Sequence, residues 1–226
     1  MSELQPSEAP NELERGTPEP PGVNSPRVLW GDFGAAARSL TILGRRPESV
    51  VDRVGRPGLF YPVVGLGVGG LLATIDFVLR DLATQELTSI VLVSVLAVVS
   101  VGRHLDGFAN TADGLIGYRG REWALAIMRD RRLGTFGTAA LVFLIILKMR
   151  GFDLLSEQVR FLGILLPPML GRWSMVVLAH GSKEAVTAGE TRQFDPAVGF
   201  REFAVASVIT FLVVFGLAEA LGLLVL

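Results

Sequence analysis

The segment LTSIVLVSVLAVVSVGRHLDGFANTADG, residues 87–114, joins a long apolar run to three acidic or amide side chains. The apolar run Leu87–Gly102 is short for about 30 Å of hydrocarbon, so we expect its helix to continue into the polar part. In a helix, the spacings between Asp106, Asn110 and Asp113 place all three side chains on one face. The segment therefore predicts an acidic helical face where a membrane helix meets water.

This acidic face is the predicted metal site. Two carboxylates so close together would repel each other unless a cation or a shared proton lies between them. A hard divalent cation prefers oxygen ligands, and Mg²⁺ that also holds a phosphate group is the common case. We therefore predict that Asp106, Asn110 and Asp113 bind Mg²⁺.

The composition indicates a membrane protein. Of the 226 residues, 50% are hydrophobic and 26 are glycine, and the mean hydropathy is +0.48. Several long runs carry few charges, which favours an all-α, polytopic transmembrane helix bundle. A net charge of −1 gives no overall basic field, so the expected partner is the lipid bilayer and not nucleic acid. The absence of cysteine excludes a disulfide or a thiolate site.

We expect about five spans, preceded by an N-terminal helix that lies at the interface or is inserted over a short length. The predicted spans are Phe60–Leu79, Leu87–Gly102, Gly134–Met149, Phe161–His180 and Phe203–Leu226, and the N-terminal helix is Val28–Leu43. Small residues at Gly65, Gly69 and Gly70 favour close packing of the first span against another helix. The pair Pro167 and Pro168 should break or kink the fourth span.

The chain divides into a polar tail and a membrane-embedded catalytic domain. Residues 1–26 contain six prolines and five glutamates among few apolar residues, which predicts a disordered tail. The membrane-embedded domain is expected over residues 28–226.

Basic residues predict the orientation of this domain. Loops 44–57, 103–133 and 181–202 carry thirteen Lys and Arg residues, whereas the alternating connections 80–86 and 150–160 carry three. The positive-inside rule places the three basic loops in the cytoplasm. We therefore expect a multi-pass protein of the cell (inner) membrane whose catalytic loops are cytoplasmic.

A basic segment follows the acidic face. It reads REWALAIMRDRRLGTFG over residues 121–137, and its modest apolar face predicts an interfacial helix over 121–132. Asp130 lies among its arginines. A metal and guanidinium groups neutralise charge on a leaving phosphate, and a carboxylate accepts a proton from the attacking hydroxyl. The two segments together predict phosphoryl transfer from a diphosphate.

Two motifs closely resemble the cobalamin synthase family, adenosylcobinamide-GDP ribazoletransferase. They read HLDGxAxTADG from residue 104 and IMRDxRLGTFG from residue 127, and YPVVGL from residue 61 and Gly171-Arg172 extend the resemblance over roughly 28–200. The resemblance implies an integral membrane, Mg²⁺-dependent enzyme of late cobalamin synthesis. It would join α-ribazole, or its 5′-phosphate, to adenosylcobinamide-GDP and release GMP.

The resemblance also implies roles for individual residues. Arg132 and Arg172 are expected to bind phosphate oxygens of the substrate. His104 is expected to bind a phosphate or a water, with a capping or interfacial role as the alternative. Asp113 and Asp130 are the expected catalytic carboxylates, and Asp130 is either a further metal ligand or the general base.

The chain departs from the family pattern at a few positions. The family usually has Asp where this chain has Asn110, Glu where it has Ala126 and Ser where it has Arg131, and it usually continues beyond a fifth span, whereas this chain stops at Leu226. Asn110 still offers a neutral carbonyl oxygen to a metal, although one negative charge is lost. We expect an active enzyme because the remaining motif is intact; the alternative is a member that has lost part of its function.

Two other functions are compatible with the acidic pattern. A CDP-alcohol phosphotransferase acting on a lipid is one, although its Arg residue and second Asp pair do not fall at the right spacing. A non-catalytic membrane component or transporter is the other, and it predicts inverted internal repeats that the sequence does not show.

Overall fold

The computed structural model describes residues 26–42, 56–117, 119–130, 132–181 and 198–225. Its α-helices are α1 (Pro26–Leu40), α2 (Tyr61–Leu79), α3 (Gln85–Val99), α4 (Arg103–Ile116), α5 (Arg121–Arg129), α6 (Thr135–Asp153), α7 (Glu157–Gly181) and α8 (Phe200–Val225). A short 3₁₀ helix, Arg56–Phe60, leads into α2. No strand occurs in these ranges, so the predicted all-α class is confirmed.

Four helical segments of the described chain are long and apolar enough to cross a membrane: Arg56–Leu79, Thr135–Asp153, Glu157–Gly181 and Phe200–Glu219. The count rises to five if α3 and α4 together form one broken span. The predicted polytopic bundle of about five spans is therefore confirmed. The predicted tail lies outside the described residues except for Pro26, as do most of loops 44–57 and 181–202.

The chain turns sharply where a continuous helix was expected. Helix α3 ends at Val99, and α4 leaves it at an angle of 88°. The turn depends on positive φ angles at Val101 (55°) and Gly102 (67°). Glycine adopts such an angle without a steric penalty, so the chain can leave the helix here. The expectation that the second span runs on into the acidic motif is wrong, because the motif forms a helix of its own.

Helix α1 and the residues directly after it form hydrogen bonds with this turn. The backbone N–H of Ile42 donates to the carbonyl of Val99 at 2.8 Å, and Nη1 of Arg103 donates to the carbonyl of Ser39 at 2.8 Å. The carbonyl of Val99 has no helical partner because α3 ends there, so Ile42 satisfies it. Ala36 and Leu40 of α1 are buried in the core cluster, which confirms the N-terminal helix and shows that it packs on the bundle.

Helices α2 and α7 form the closest pair in the bundle. A Cβ at Gly65 would overlap the backbone of Pro168 and Met169, and one at Gly69 would overlap the backbone of Leu165. Small residues let two helix backbones approach closely, as the sequence predicted for these two positions. Gly70 has open space around its Cα and takes no part in this contact, so it was wrongly included.

Helix α7 continues through both of its prolines, from Glu157 to Gly181. Of the two expected effects of Pro167 and Pro168, a break of this span is therefore wrong, and a kink stays a prediction. A proline inside a helix removes one backbone hydrogen bond, and packing against neighbouring helices keeps such a helix intact in a membrane. The prolines lie beside the glycines of α2, where packing is tightest.

Candidate functional site

Helix α4 carries the three residues of the predicted metal site and presents them to different surroundings. Asp106 is exposed, Asn110 is half-buried and Asp113 is buried, with 9% of its surface accessible. The helix lies across the end of α3 and packs against α5 and α6. The predicted helical face is therefore present, but its two ends lie in different environments.

Asp113 joins α4 to the start of α6. Its Oδ2 accepts a hydrogen bond from the N–H of Gly134, and its Oδ1 accepts one from the N–H of Gly137, both at 2.8 Å. The first N–H groups of a helix have no partner within the helix, and a carboxylate there is also favoured by the helix dipole. Asp113 therefore caps α6 from a neighbouring helix.

The two glycines are necessary for this cap. A Cβ on Gly134 or Gly137 would overlap the carboxylate of Asp113, and one on Gly137 would also meet the carbonyl of Ala109. The motif LGTFG thus has glycine where the acidic helix approaches most closely. On the other side of α4, a Cβ at Gly114 would collide with Met128 of α5. These contacts fix the position of α4.

Asp106 and Asn110 are the residues best placed for a cation. Neither side chain makes a hydrogen bond or an ion pair in the described part of the chain, and they lie one turn apart on α4. Mg²⁺ is usually held by one or two carboxylates together with substrate phosphates and water, so this donor set fits it. Within the described ranges, no three Asp, Glu, His or Cys side chains form a cluster that could hold a metal. The metal site therefore stays a prediction.

Asp130 and Arg132 lie in the connection between α5 and α6. Helix α5 covers Arg121–Arg129, which confirms a helix over most of 121–132, and Asp130 follows its last turn. The interfacial location of this helix stays a prediction. Oδ1 of Asp130 accepts a hydrogen bond from the N–H of Arg132 at 3.0 Å, and Nε of Arg132 lies 3.8 Å from the same oxygen. The side chain of Arg132 is 92% exposed, so it is free to meet a ligand from solution.

His104 and Arg172, from distant parts of the sequence, line one cavity. The cavity has a volume of about 610 Å³ and lies between α3, α4, α6 and α7. Lys148 of α6 lines it too. Arg172 is only 5% exposed, and its Nη1 donates to the carbonyl of Pro168 at 3.3 Å. The structure thus brings two of the three predicted phosphate-binding residues together and leaves Arg132 at the surface.

Lys148 is a cavity residue that the sequence interpretation missed. It is the only lysine within the predicted spans, and a charged residue within an apolar span is uncommon and marks a functional site by default. That signal was present in the sequence. What the sequence did not show is that α6 places Lys148 in the same cavity as Arg172.

Comparison with known proteins adds a family to this geometry. The family model described as cobalamin-5-phosphate synthase matches residues 32–226. The adenosylcobinamide-GDP ribazoletransferase of Caldanaerobacter subterraneus subsp. tengcongensis is 36% identical over 160 residues, which cover 70% of this chain and 64% of that protein. The protein of the same name from Roseiflexus sp. is 35% identical over 192 residues, which cover 82% of this chain and 71% of that protein.

The match does not extend over the whole length of these relatives. A third relative of the same name, from Thermoanaerobacter sp., is 36% identical over 152 residues, which make up 61% of it. This chain therefore spans less than two thirds of two of these three relatives. No solved structure matches the chain.

Proposed function

Because this chain belongs to the cobalamin-5-phosphate synthase family, we propose that it is a membrane phosphotransferase of late cobalamin synthesis. It joins α-ribazole, or its 5′-phosphate, to adenosylcobinamide-GDP and releases GMP. The observation that supports this most strongly is the family match over residues 32–226, which includes the acidic helix and the arginines. The several apolar helices agree with an enzyme embedded in a membrane of the cell, and we propose the inner membrane with the basic loops in the cytoplasm.

The reaction is a substitution at phosphorus. The hydroxyl oxygen of α-ribazole forms a bond to the phosphorus attached to cobinamide, and the bond from that phosphorus to the bridging oxygen breaks. GMP leaves with the bridging oxygen and its electron pair. Asp130 accepts the hydroxyl proton in this proposal, because its Oδ2 makes no hydrogen bond within the described residues. Arg132 lies beside it, so its guanidinium can hold phosphate oxygens.

The family resemblance implies Mg²⁺, and Asp106 with Asn110 would hold it. The ion supplies charge neutralisation on the diphosphate when it is bound. Asp113 holds α4 against the start of α6, and so it fixes the helix that carries the two oxygen donors. Both oxygens of Asp113 already accept backbone hydrogen bonds, so we do not assign it as a ligand here. Direct metal ligation by Asp113 stays a prediction from the sequence.

The test is a reconstituted assay. Membranes that contain the protein are incubated with adenosylcobinamide-GDP, α-ribazole and Mg²⁺, and GMP and the cobalamin product are measured together. We expect equal amounts of both products, and no product when Mg²⁺ is chelated. Folded protein that yields no cobalamin from α-ribazole or its 5′-phosphate would contradict the proposed function.

A further inference from the structure

The cavity beside α4 contains positively charged side chains with no acidic partner among the described residues. Nε and Nη2 of Arg172 are buried and have no hydrogen-bond partner in the described part of the chain. Lys148 and His104 line the same cavity and have no ion pair there. All three side chains therefore line one cavity, although they come from α4, α6 and α7.

Arg160 is a second buried arginine among the described residues, and unlike Arg172 it is paired with an acidic side chain. Arg160 is 4% exposed, its Nε donates to Oδ2 of Asp76 at 2.9 Å, and its Nη1 donates to the carbonyl of Phe152. Burial of a charged group costs free energy unless the group is paired and hydrogen-bonded. Arg172 is buried to the same degree, and within the described residues it has a single acceptor, the carbonyl of Pro168. An anionic ligand would supply the acceptors that Arg172 lacks.

The size and lining of the cavity fit such a ligand. Its volume of about 610 Å³ lies within the range of small-molecule sites. Phe108 and Ile145 line it and are themselves exposed, so the cavity is open to the surroundings. Guanidinium and ammonium groups both bind phosphate oxygens, the first as a fork and the second as a point charge.

We propose that His104, Lys148 and Arg172 form a phosphate-binding site inside the helix bundle, distinct from the acidic face of α4. Residues two apart in a helix do not face the same way, so His104 and Asp106 serve different sides of α4. The ligand is either a phosphate group of a soluble substrate or the phosphate of an anionic lipid. The first identification rests on the proposed function, whereas phosphate binding itself does not.

The first test measures binding to the purified protein, with ribose 5-phosphate and phosphatidylglycerol as probes. Lys148→Gln should weaken binding of one probe by about tenfold or more, because it removes a hydrogen bond to a charged group. Arg150→Gln is the matched control, since it removes a positive charge from the same helix but the Arg150 side chain is 67% exposed and lies outside the cavity. It should leave both affinities unchanged.

The second test uses the unaltered protein and so does not depend on how a variant folds. The sequence contains two lysines, Lys148 and Lys183. An amine-acylating reagent followed by mass spectrometry reports on each separately. A bound phosphate group should slow acylation of Lys148 and leave Lys183 unchanged.

The outcomes identify the ligand or overturn the site. Protection of Lys148 by ribose 5-phosphate indicates a soluble phosphate, and protection by phosphatidylglycerol, but not by phosphatidylcholine, indicates a lipid phosphate. If neither probe protects Lys148, or if Lys148→Gln binds both probes as the unaltered protein does, the site does not exist. Binding that is intact in a protein without transferase activity would contradict the proposed function and leave the phosphate site standing.

Discussion

Asp113 shows that a single carboxylate in an acidic motif can have a structural duty beside its expected chemical one. The sequence places it with Asp106 on one helical face and predicts that it binds a metal, and a catalytic role was also expected of it. The structure gives both of its oxygens to the first N–H groups of α6. In the part of the chain that the structure describes, Asp106 has no such partner. The two aspartates of the motif are therefore expected to respond differently to the same substitution.

We predict that Asp113→Asn destabilises the protein and that Asp106→Asn does not. The amide nitrogen that replaces one oxygen of Asp113 would face a backbone N–H, which leaves a buried donor unsatisfied at a cost of about 1–3 kcal/mol. Asp106 is exposed, so its replacement should leave the melting temperature close to that of the unaltered protein. It should nevertheless abolish the Mg²⁺-dependent activity, because a proposed metal ligand is lost. Thermal unfolding in detergent with a chelator present measures the first effect without contribution from a metal. Equal melting temperatures for the two variants would refute the cap.

At Asn110, a substitution can test the metal site by adding a negative charge instead of removing one. We expect Asn110→Asp to lower the Mg²⁺ concentration that gives half-maximal turnover, because a second negative charge joins Asp106 at the proposed metal position. Activity is titrated with Mg²⁺ for both proteins. Thr111→Asp is the control, since it adds the same charge at the next, exposed position of α4. An unchanged Mg²⁺ response in Asn110→Asp would remove residue 110 from the metal site.

At the scale of helices, the sequence predicted the spans, which depend on the length of the apolar runs. It missed the features that depend on contacts between helices distant in the sequence. Helices α2, α6, α7 and α8 each cover a predicted span because long apolar runs must satisfy their backbone hydrogen bonds internally. The 88° turn after Val99 was missed because two positive φ angles and a hydrogen bond from Ile42 create it. The sequence also did not predict the cap on α6 or the cavity shared by His104, Lys148 and Arg172. Both features join helices that are distant in the sequence.

The packing of α2 on α7 gives two glycine substitutions with opposite expected effects. Gly69→Ala should destabilise the protein by about 1–3 kcal/mol, because the added methyl overlaps the backbone of Leu165 and the helices must separate. Gly70→Ala meets no atom and should be neutral or stabilising by up to about 1 kcal/mol, as expected for alanine in a helix. Thermal unfolding of both variants measures the difference. A Gly69→Ala variant as stable as Gly70→Ala would mean that the backbones do not meet there.

The buried pair of Asp76 and Arg160 holds the opposite end of the same two helices. Removal of one member of a buried ion pair typically costs about 3–5 kcal/mol because the other charge is left without a partner. We therefore expect Asp76→Leu to unfold the protein at a much lower temperature, and Arg160→Met added to it to restore much of the loss. If the double variant is no more stable than Asp76→Leu alone, the unpaired charge of Arg160 is not the cause of the loss, and the prediction is wrong.

At the scale of the whole molecule, α6 is a candidate membrane span, and if it crosses the membrane, α5 and the α6–α7 connection lie on opposite sides. The chain has no cysteine, so a single introduced cysteine can be labelled without background. Glu122 of α5 and Ser156 after α6 are both exposed and are suitable positions. We expect a membrane-impermeant maleimide added to intact cells to label Ser156→Cys and to label Glu122→Cys only after the membrane is opened. This pattern follows from the excess of Lys and Arg in the loop that contains Glu122. Labelling of both variants in intact cells would contradict the crossing of α6. The reverse pattern would place the proposed site on the outer face of the membrane. The nucleotide-linked substrate would then have to be supplied from outside the cell.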